Sequence, residues 1–349
     1  MKRFLALIFA LMTVVATVGC GAQEAPSGSS DPANSASGES PEKTYTMRIG
    51  HILDTDSLRH QSLEMFAKEV KEKTNGGIDV QLFPSAQLGT DDELVEQVKN
   101  GALEGYRGSA IDTVIPEYNF YSMPFLFANA DEAVAVMNSD WGKKWAEHSS
   151  VNNVKILSTG VGGFRVLTNN KHAVHTPADM QGIKLRVPSW DVTIRTMEAL
   201  GVDCTSIAYN ETYMALKTNV ADGQENPWVY IVEPKFYEVQ KYATALNWNV
   251  TLEYFPINLE WFNSLPTEYQ EILLSAAEDC MNWFNEKNVE MEQGYIDTCA
   301  QSMEITYLTD EEHQQFVDAT ASVYDYYIET GLFTQADLDE VRSIIAATK

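Results

Sequence analysis

An alternation of short apolar strands with amphipathic helices runs through this chain once and then starts again, and no other feature narrows the possible folds as much. Tyr45, Met47 and Ile49 alternate with polar residues up to Gly50, the period of a strand. Leu63, Phe66, Ala67 and Val70 then share one helical face, and Asn75-Gly76-Gly77 stops the helix. Ile78, Val80 and Leu82 alternate as a second strand closed by Pro84, and a further helix carries Leu94, Val95 and Val98 to Asn100-Gly101. After about residue 153 the rhythm begins afresh, with apolar runs at Val154, Ile156 and Leu157 and at Val166-Leu167. Thr176-Pro177-Ala178-Asp179 opens a short helix that Gly182 ends. Residues 183–187 read as a strand stopped by Pro188, and residues 192–200 as a helix closed by Gly201. This order makes an α/β fold with helices on the faces of its sheets. Two such units in 349 residues predict two lobes.

The C-terminal third reads as helical. Thr267 and Gln270 have capping-box spacing behind Pro266. Leu273, Ala276, Ala277, Cys280 and Phe284 keep an apolar stripe, and no Gly or Pro interrupts it before Gly294. One long helix bracing both lobes is expected. Thr309 with Glu312 starts another helix ending near Gly331, and Thr334 starts a last one.

The amino terminus is a different kind of sequence. Met1-Lys2-Arg3 is followed by an uncharged apolar run, residues 4–18, which is shorter than the roughly 20 residues a membrane-spanning helix needs. It reads as a secretory signal peptide over residues 1–19. Thr17-Val18-Gly19-Cys20 resembles the bacterial lipobox, with Thr17 where a Leu is usual, and makes Cys20 the expected lipidation site. Residues 21–41 are Gly, Ala, Ser, Pro and other polar or acidic residues without a bulky apolar side chain, so residues 20–43 are expected to form a flexible tether. The expected location is extracytoplasmic, in the periplasm or at the outer face of the cell membrane, held by lipid alone.

Charge removes several classes of partner. Fifty acidic residues against 24 basic ones give a net charge of −26, which repels nucleic acid and anionic lipid. Screening confines that field to about 8–10 Å at physiological salt, so local arginines still decide the binding of an anion. Cys204, Cys280 and Cys299 are an odd set; the last two, on one helix, would stand roughly 28 Å apart. Free thiols are expected. No nucleophile elbow, P-loop, HExxH or CxxC is present, and Gly160-Val161-Gly162-Gly163 lacks the last glycine of a dinucleotide fingerprint and reads as a flexible turn. His172 and His175 have no third ligand nearby and read as loop surface. Neither a metal nor a cofactor is expected.

Two arginines interrupt apolar strands: Arg165 in Gly163-Phe164-Arg165-Val166-Leu167 and Arg186 in Leu185-Arg186-Val187-Pro188. Taken alone they read as a solvated strand face. Five ordered blocks give them another meaning. These are Phe66-Ala67-Lys68-Glu69-Val70; Pro84-Ser85-Ala86-Gln87-Leu88-Gly89; Asp179-Met180-Gln181-Gly182-Ile183-Lys184-Leu185-Arg186-Val187-Pro188; Ala221-Asp222-Gly223-Gln224-Glu225-Asn226-Pro227; and Lys235-Phe236-Tyr237-Glu238-Val239-Gln240-Lys241-Tyr242. With them, residues 45–345 resemble the DctP-type solute-binding proteins of TRAP transporters.

The resemblance implies a two-lobe, periplasmic-binding-protein-like fold with hinge strands near Gly160 and Tyr254. Lobe I would be residues 44–162 and 252–291, and lobe II residues 163–251 and 292–349, with the long helix bridging both. It implies that Arg186 holds a ligand carboxylate in two-point fashion. Arg165 would support the same carboxylate or a further polar group, and Asn226 would donate to it. Tyr209 takes the position of a family aromatic. Ser109 stands where sialic acid binders carry a glutamate, which argues against that ligand. Trp190, Trp228 and Trp248 lie close to these segments. Any one of them in the cleft would favour a ring-bearing acid, uronic or aromatic, over the alternative of a C4-dicarboxylate or keto acid. The partners implied are a small carboxylate and the membrane subunits of a sodium-coupled transporter, with this chain a monomer that uses no ATP. Two rivals remain: a lipid-anchored enzyme acting on the same acids, and a sensory lipoprotein that binds ligand but feeds no transporter.

Overall fold

The computed structural model describes residues 43–348, so the signal peptide, Cys20 and nearly all of the tether lie outside the described residues. The first unit runs β1 (Tyr45–Gly50), α1 (Leu58–Lys73), β2 (Ile78–Phe83), α2 (Asp91–Lys99) and β3 (Gly105–Tyr106). Ser57 caps α1 by accepting from the His60 amide, and Thr90 and Glu93 form a reciprocal capping box on α2. Two irregular 3-10 segments then lead to the short helices α3 (Ala130–Asn138), α4 (Asp140–Ala146) and α5 (His148–Val151).

The second unit begins with β4 (Val154–Phe164) and β5 (Val166–Asn169), then β6 (Lys184–Val187), α6 (Asp191–Ala199), β7 (Asp203–Ser206), α7 (Tyr209–Lys217) and β8 (Gly223–Asn226). After α8 (Val229–Val232) and β9 (Tyr242–Thr244), the chain returns along β10 (Val250–Asn258) to α9 (Leu259–Asn263) and the 34-residue α10 (Thr267–Ala300). It finishes with β11 (Glu304–Thr306), α11 (Asp310–Ala319), α12 (Ala321–Glu329) and α13 (Gln335–Ala346). The single helix expected between Thr309 and Gly331 is thus two, broken at Thr320.

Two mixed sheets result. The first has the order β2-β1-β3-β10-β4 and the second β11-β9-β5-β8-β6-β7. Met47, Ile49, Phe66 and Val70 pack with Phe255, Leu273 and Phe284 beside the first sheet. Leu167, Leu185, Val187 and Trp248 form the matching core of the second. The chain passes between sheets at the joint of β4 with β5 and again before β10, and β4 and β10 pair antiparallel. These are the two hinge strands expected near Gly160 and Tyr254.

Gly160 to Gly163 are not a flexible turn. They lie inside β4, where the register against β10 slips between Thr251 and Leu252, so that Gly162 has no partner residue. The long helix takes up the backbone groups that the bulge releases. Val161 donates its amide to Asn285 Oδ1 at 2.9 Å, and Asn288 Nδ2 donates to the carbonyls of Val161 and Gly162 at 3.3 and 3.2 Å. α10 packs on α1 and β4 and reaches α8, and it runs straight through Gly294. Its start differs from expectation: Pro266 is the N-cap residue, with no side-chain cap, and Gln270 reaches back to the Leu265 carbonyl at 3.0 Å. Cys280 and Cys299 both lie on α10, and the three described cysteines are free.

Candidate functional site

Arg186 sits on β6 between Leu185 and Val187, whose side chains turn into the core. Pro188 ends the strand, so the guanidinium is delivered to a cavity of about 200 Å³ between the two sheets. Its Nε donates to the Ile207 carbonyl at 2.8 Å, and among the described residues no carboxylate pairs with it. Burial pulls its pKa down to about 10, with Glu225 opposing and Arg165 adding to the fall. It remains a cation at neutral pH.

Arg165, at the joint of β4 and β5, borders the same cavity but is already engaged. Its Nε and Nη2 grip the two Glu225 oxygens, the latter at 2.7 Å. Nη1 donates to Thr251 Oγ1 on β10 at 2.9 Å, and Nη2 approaches Asn226 Oδ1 at 3.4 Å. The Trp190 ring lies 5.3 Å from its Cζ, within cation–π range. Asn226 ends β8 and donates to Gln224 Oε1 at 2.5 Å. Tyr209 opens α7, borders the cavity and donates its hydroxyl to the Tyr230 carbonyl at 2.9 Å. Ser109 also lines the space and donates to Glu253 Oε1 at 3.0 Å.

The facing wall is acidic. Asp91 and Asp92 occupy the first turn of α2, where the positive end of the helix favours carboxylates. Asp91 accepts a hydrogen bond from Tyr106 Oη. Burial pushes its carboxyl up to about 6, with Arg59 pulling it back. Asp92 accepts from Thr113 Oγ1 at 3.0 Å and from Ser189 Oγ, which reaches it from the segment after β6. A second bond crosses between the sheets' sides, from the Leu58 amide at the start of α1 to Glu233 Oε1 at 3.1 Å. These contacts describe a shut cleft.

Several expectations change here. Arg165 and Arg186 are each only 2% exposed, so the solvated-face reading is overturned. Of the three tryptophans, Trp190 alone lines the cavity. Trp248 is fully buried in the core of the second sheet, and its Nε1 donates to Glu225 Oε2 at 3.1 Å. Trp228 packs into the apolar core at the start of α8. Both adjoin strands of the site in sequence, but adjacency along the chain does not set which way a ring points. His172 and His175 bond to the Ala173 carbonyl and to Glu312.

The sequence reading missed Asp91, Asp92, Arg59, Glu225 and Glu253. Asp91-Asp92 directly follow a motif block with only Thr90 between, and Glu225 lies within one. Glu253 carried its own signal, a lone acid in the middle of an apolar strand whose nine residues are all buried.

Residues 49–330 match the family described as bacterial extracellular solute-binding protein, family 7. A solute-binding protein of Verminephrobacter eiseniae is 32% identical over 302 residues, covering 85% of this chain and 89% of the relative. The C4-dicarboxylate-binding periplasmic protein DctP of Vibrio cholerae is 29% identical over 290 residues, covering 80% and 86%. Among solved structures, a TRAP periplasmic solute-binding protein of Roseobacter denitrificans with bound β-D-glucuronate superposes with a TM-score of 0.81. Its sequence identity is 27%, and the match covers 87% of this chain and all of that one.

Proposed function

The chain belongs to family 7 of the bacterial extracellular solute-binding proteins, and on that premise we propose that its cavity captures a sugar acid bearing a single carboxylate. It is the solute-binding component of a TRAP-type secondary transporter, with a two-lobe fold and an extracytoplasmic place of work. Family membership leaves the solute open, since relatives include binders of dicarboxylates and of a uronate. The chemistry of the cavity supports the choice.

One observation carries the reading: among the described residues Arg186 is the single cavity arginine without a carboxylate partner, and the opposite wall presents Asp91 and Asp92. A carboxylate fits Arg186 through two parallel N–H···O bonds. Sugar hydroxyls can donate to the two aspartates, whereas a second carboxylate there would be repelled. Trp190 offers an aromatic face to a ring. A C4-dicarboxylate would bring its second acid against this wall, which disfavours it relative to a sugar acid.

Capture works by closure. Residues 44–162 with 252–291 and residues 163–251 with 292–349 act as the two lobes, bending about β4 and β10. Solute contacts to both walls favour the shut form, which the membrane subunits recognise. The reading assigns binding and no chemical step to the cavity. It also takes Cys20 as the acylated residue of a monomeric lipoprotein, so Cys20→Ser should leave the membrane fraction.

A thermal-shift panel tests the solute. D-glucuronate, D-galacturonate or L-gulonate at a hundredfold excess over Kd should stabilise the protein by about 2.7 kcal/mol. C4-dicarboxylates at the same concentration should do nothing. A shift from dicarboxylates alone would defeat the reading.

A further inference from the structure

Arg59, near the start of α1, borders the cavity from the side opposite Arg186, and its surroundings leave it unfinished. The side chain is 4% exposed. Its Nε and Nη2 donate to Glu253 Oε2 and Oε1 at 3.1 and 2.7 Å, and its Nη1 is buried with no hydrogen-bond partner among the described residues. Glu253 cannot supply one. It also accepts from Arg107 Nη1 at 2.5 Å, from Tyr230 Oη at 2.7 Å and from Ser109 Oγ at 3.0 Å. Two guanidiniums therefore share one carboxylate, and Asp91 is a further acid that lines the same cavity as Arg59. A desolvated cationic N–H without an acceptor is a poor resting state and a ready one for binding.

A guanidinium can only donate, and an ionised carboxylate can only accept. An alcohol does both. We propose that Arg59 is a specificity-determining residue which, together with Asp91, reads a hydroxyl group of the solute at the end remote from its carboxylate. The hydroxyl accepts from Arg59 and donates to Asp91. A ketone at that carbon would satisfy Arg59 and leave Asp91 unanswered, and a methylene would leave both unmet. Glu253 is a positioning residue, since it fixes the guanidinium plane without touching the solute. The assignment rests on the sugar-acid reading and narrows it to acids that carry a hydroxyl, rather than a ketone or a methylene, at the position remote from the carboxylate.

Calorimetric titration of the protein and of Arg59→Gln with L-gulonate and its singly deoxygenated forms tests this. In the wild type, one position remote from the carboxylate should cost at least tenfold in Kd when its hydroxyl is removed. In Arg59→Gln that penalty should fall below threefold while the penalties at the other positions stay as they were. A purely structural role for Arg59 would weaken every ligand alike, and that outcome overturns the proposal. So does a variant that keeps the full penalty. If Arg59→Gln does not fold, Arg59→Lys is read in the same way. Wild-type protein that binds a monobasic sugar acid but shows no such position defeats the role of Arg59 alone. Wild-type protein that binds no sugar acid defeats the parent reading as well.

Discussion

Arg165 and Arg186 border one cavity, and the difference between them is a neighbour. Arg165 has Glu225 locked across its guanidinium, while Arg186 has only a backbone carbonyl. The two should therefore fail in different ways. Arg186→Ala removes half of a charge pair that forms only with solute, so it should cost about 3 kcal/mol of binding, on the order of a hundredfold in Kd. Its melting temperature should barely move, because no carboxylate is orphaned. Arg165→Ala leaves Glu225 buried with only its Trp248 bond, and should cost about 3–5 kcal/mol of folding stability. Titration and thermal melts of both variants check this; equal loss of stability would mean that Arg186 is also structural.

At the scale of elements, the hinge is built from β4, β10 and α10. A Cβ at Gly160 would run into Met281 Sδ and Asn285 Oδ1 of α10. That glycine lets the strand lie flush against the helix whose Asn285 and Asn288 hold the bulge at Val161 and Gly162. Gly160→Val should overpack this seam by about 2 kcal/mol and lower the melting temperature by roughly 4 °C. Solute affinity should fall with it, because the strand that sets the closing angle is pushed off its support. An unchanged melt and affinity would show that the seam yields freely. The strands and helices themselves were readable from apolar periodicity, as with Tyr45, Met47 and Ile49 in β1. The bulge was not, because its cause is a pair of asparagines more than 120 residues further on.

For the whole molecule, closure ties the state of the cleft to pH through Glu233. In the shut form burial pushes its carboxyl up to about 7, with the Leu58 amide and Arg59 pulling it back and Asp56 and Glu253 adding to the rise. In an open cleft it returns toward the ordinary carboxylate value of about 4.3. The shut form thus binds a proton more tightly than the open one. Glu233→Gln should bind more tightly than wild type at pH 8, and that advantage should shrink as pH falls from about 7 toward 5; the ratio of the two affinities isolates Glu233 from Asp91, which titrates in the same interval. A ratio that stays constant or widens over that interval would contradict this coupling.

Local pattern by itself determined the α/β class, the two successive units, the long C-terminal helix and the family resemblance that singled out Arg186, Arg165, Asn226, Tyr209 and Ser109. Periodicity, caps and motif blocks are properties of neighbouring residues, and neighbours are what a sequence displays. The charge state of the site was decided by tertiary structure alone. Arg165 finds Glu225 from 60 residues away, and Arg59 finds Glu253 from 194. Trp228 and Trp248 face the core while Trp190 faces the cavity. Which arginine stays unpaired in a low-dielectric cleft depends on which acids the fold brings beside it, and no local pattern encodes that.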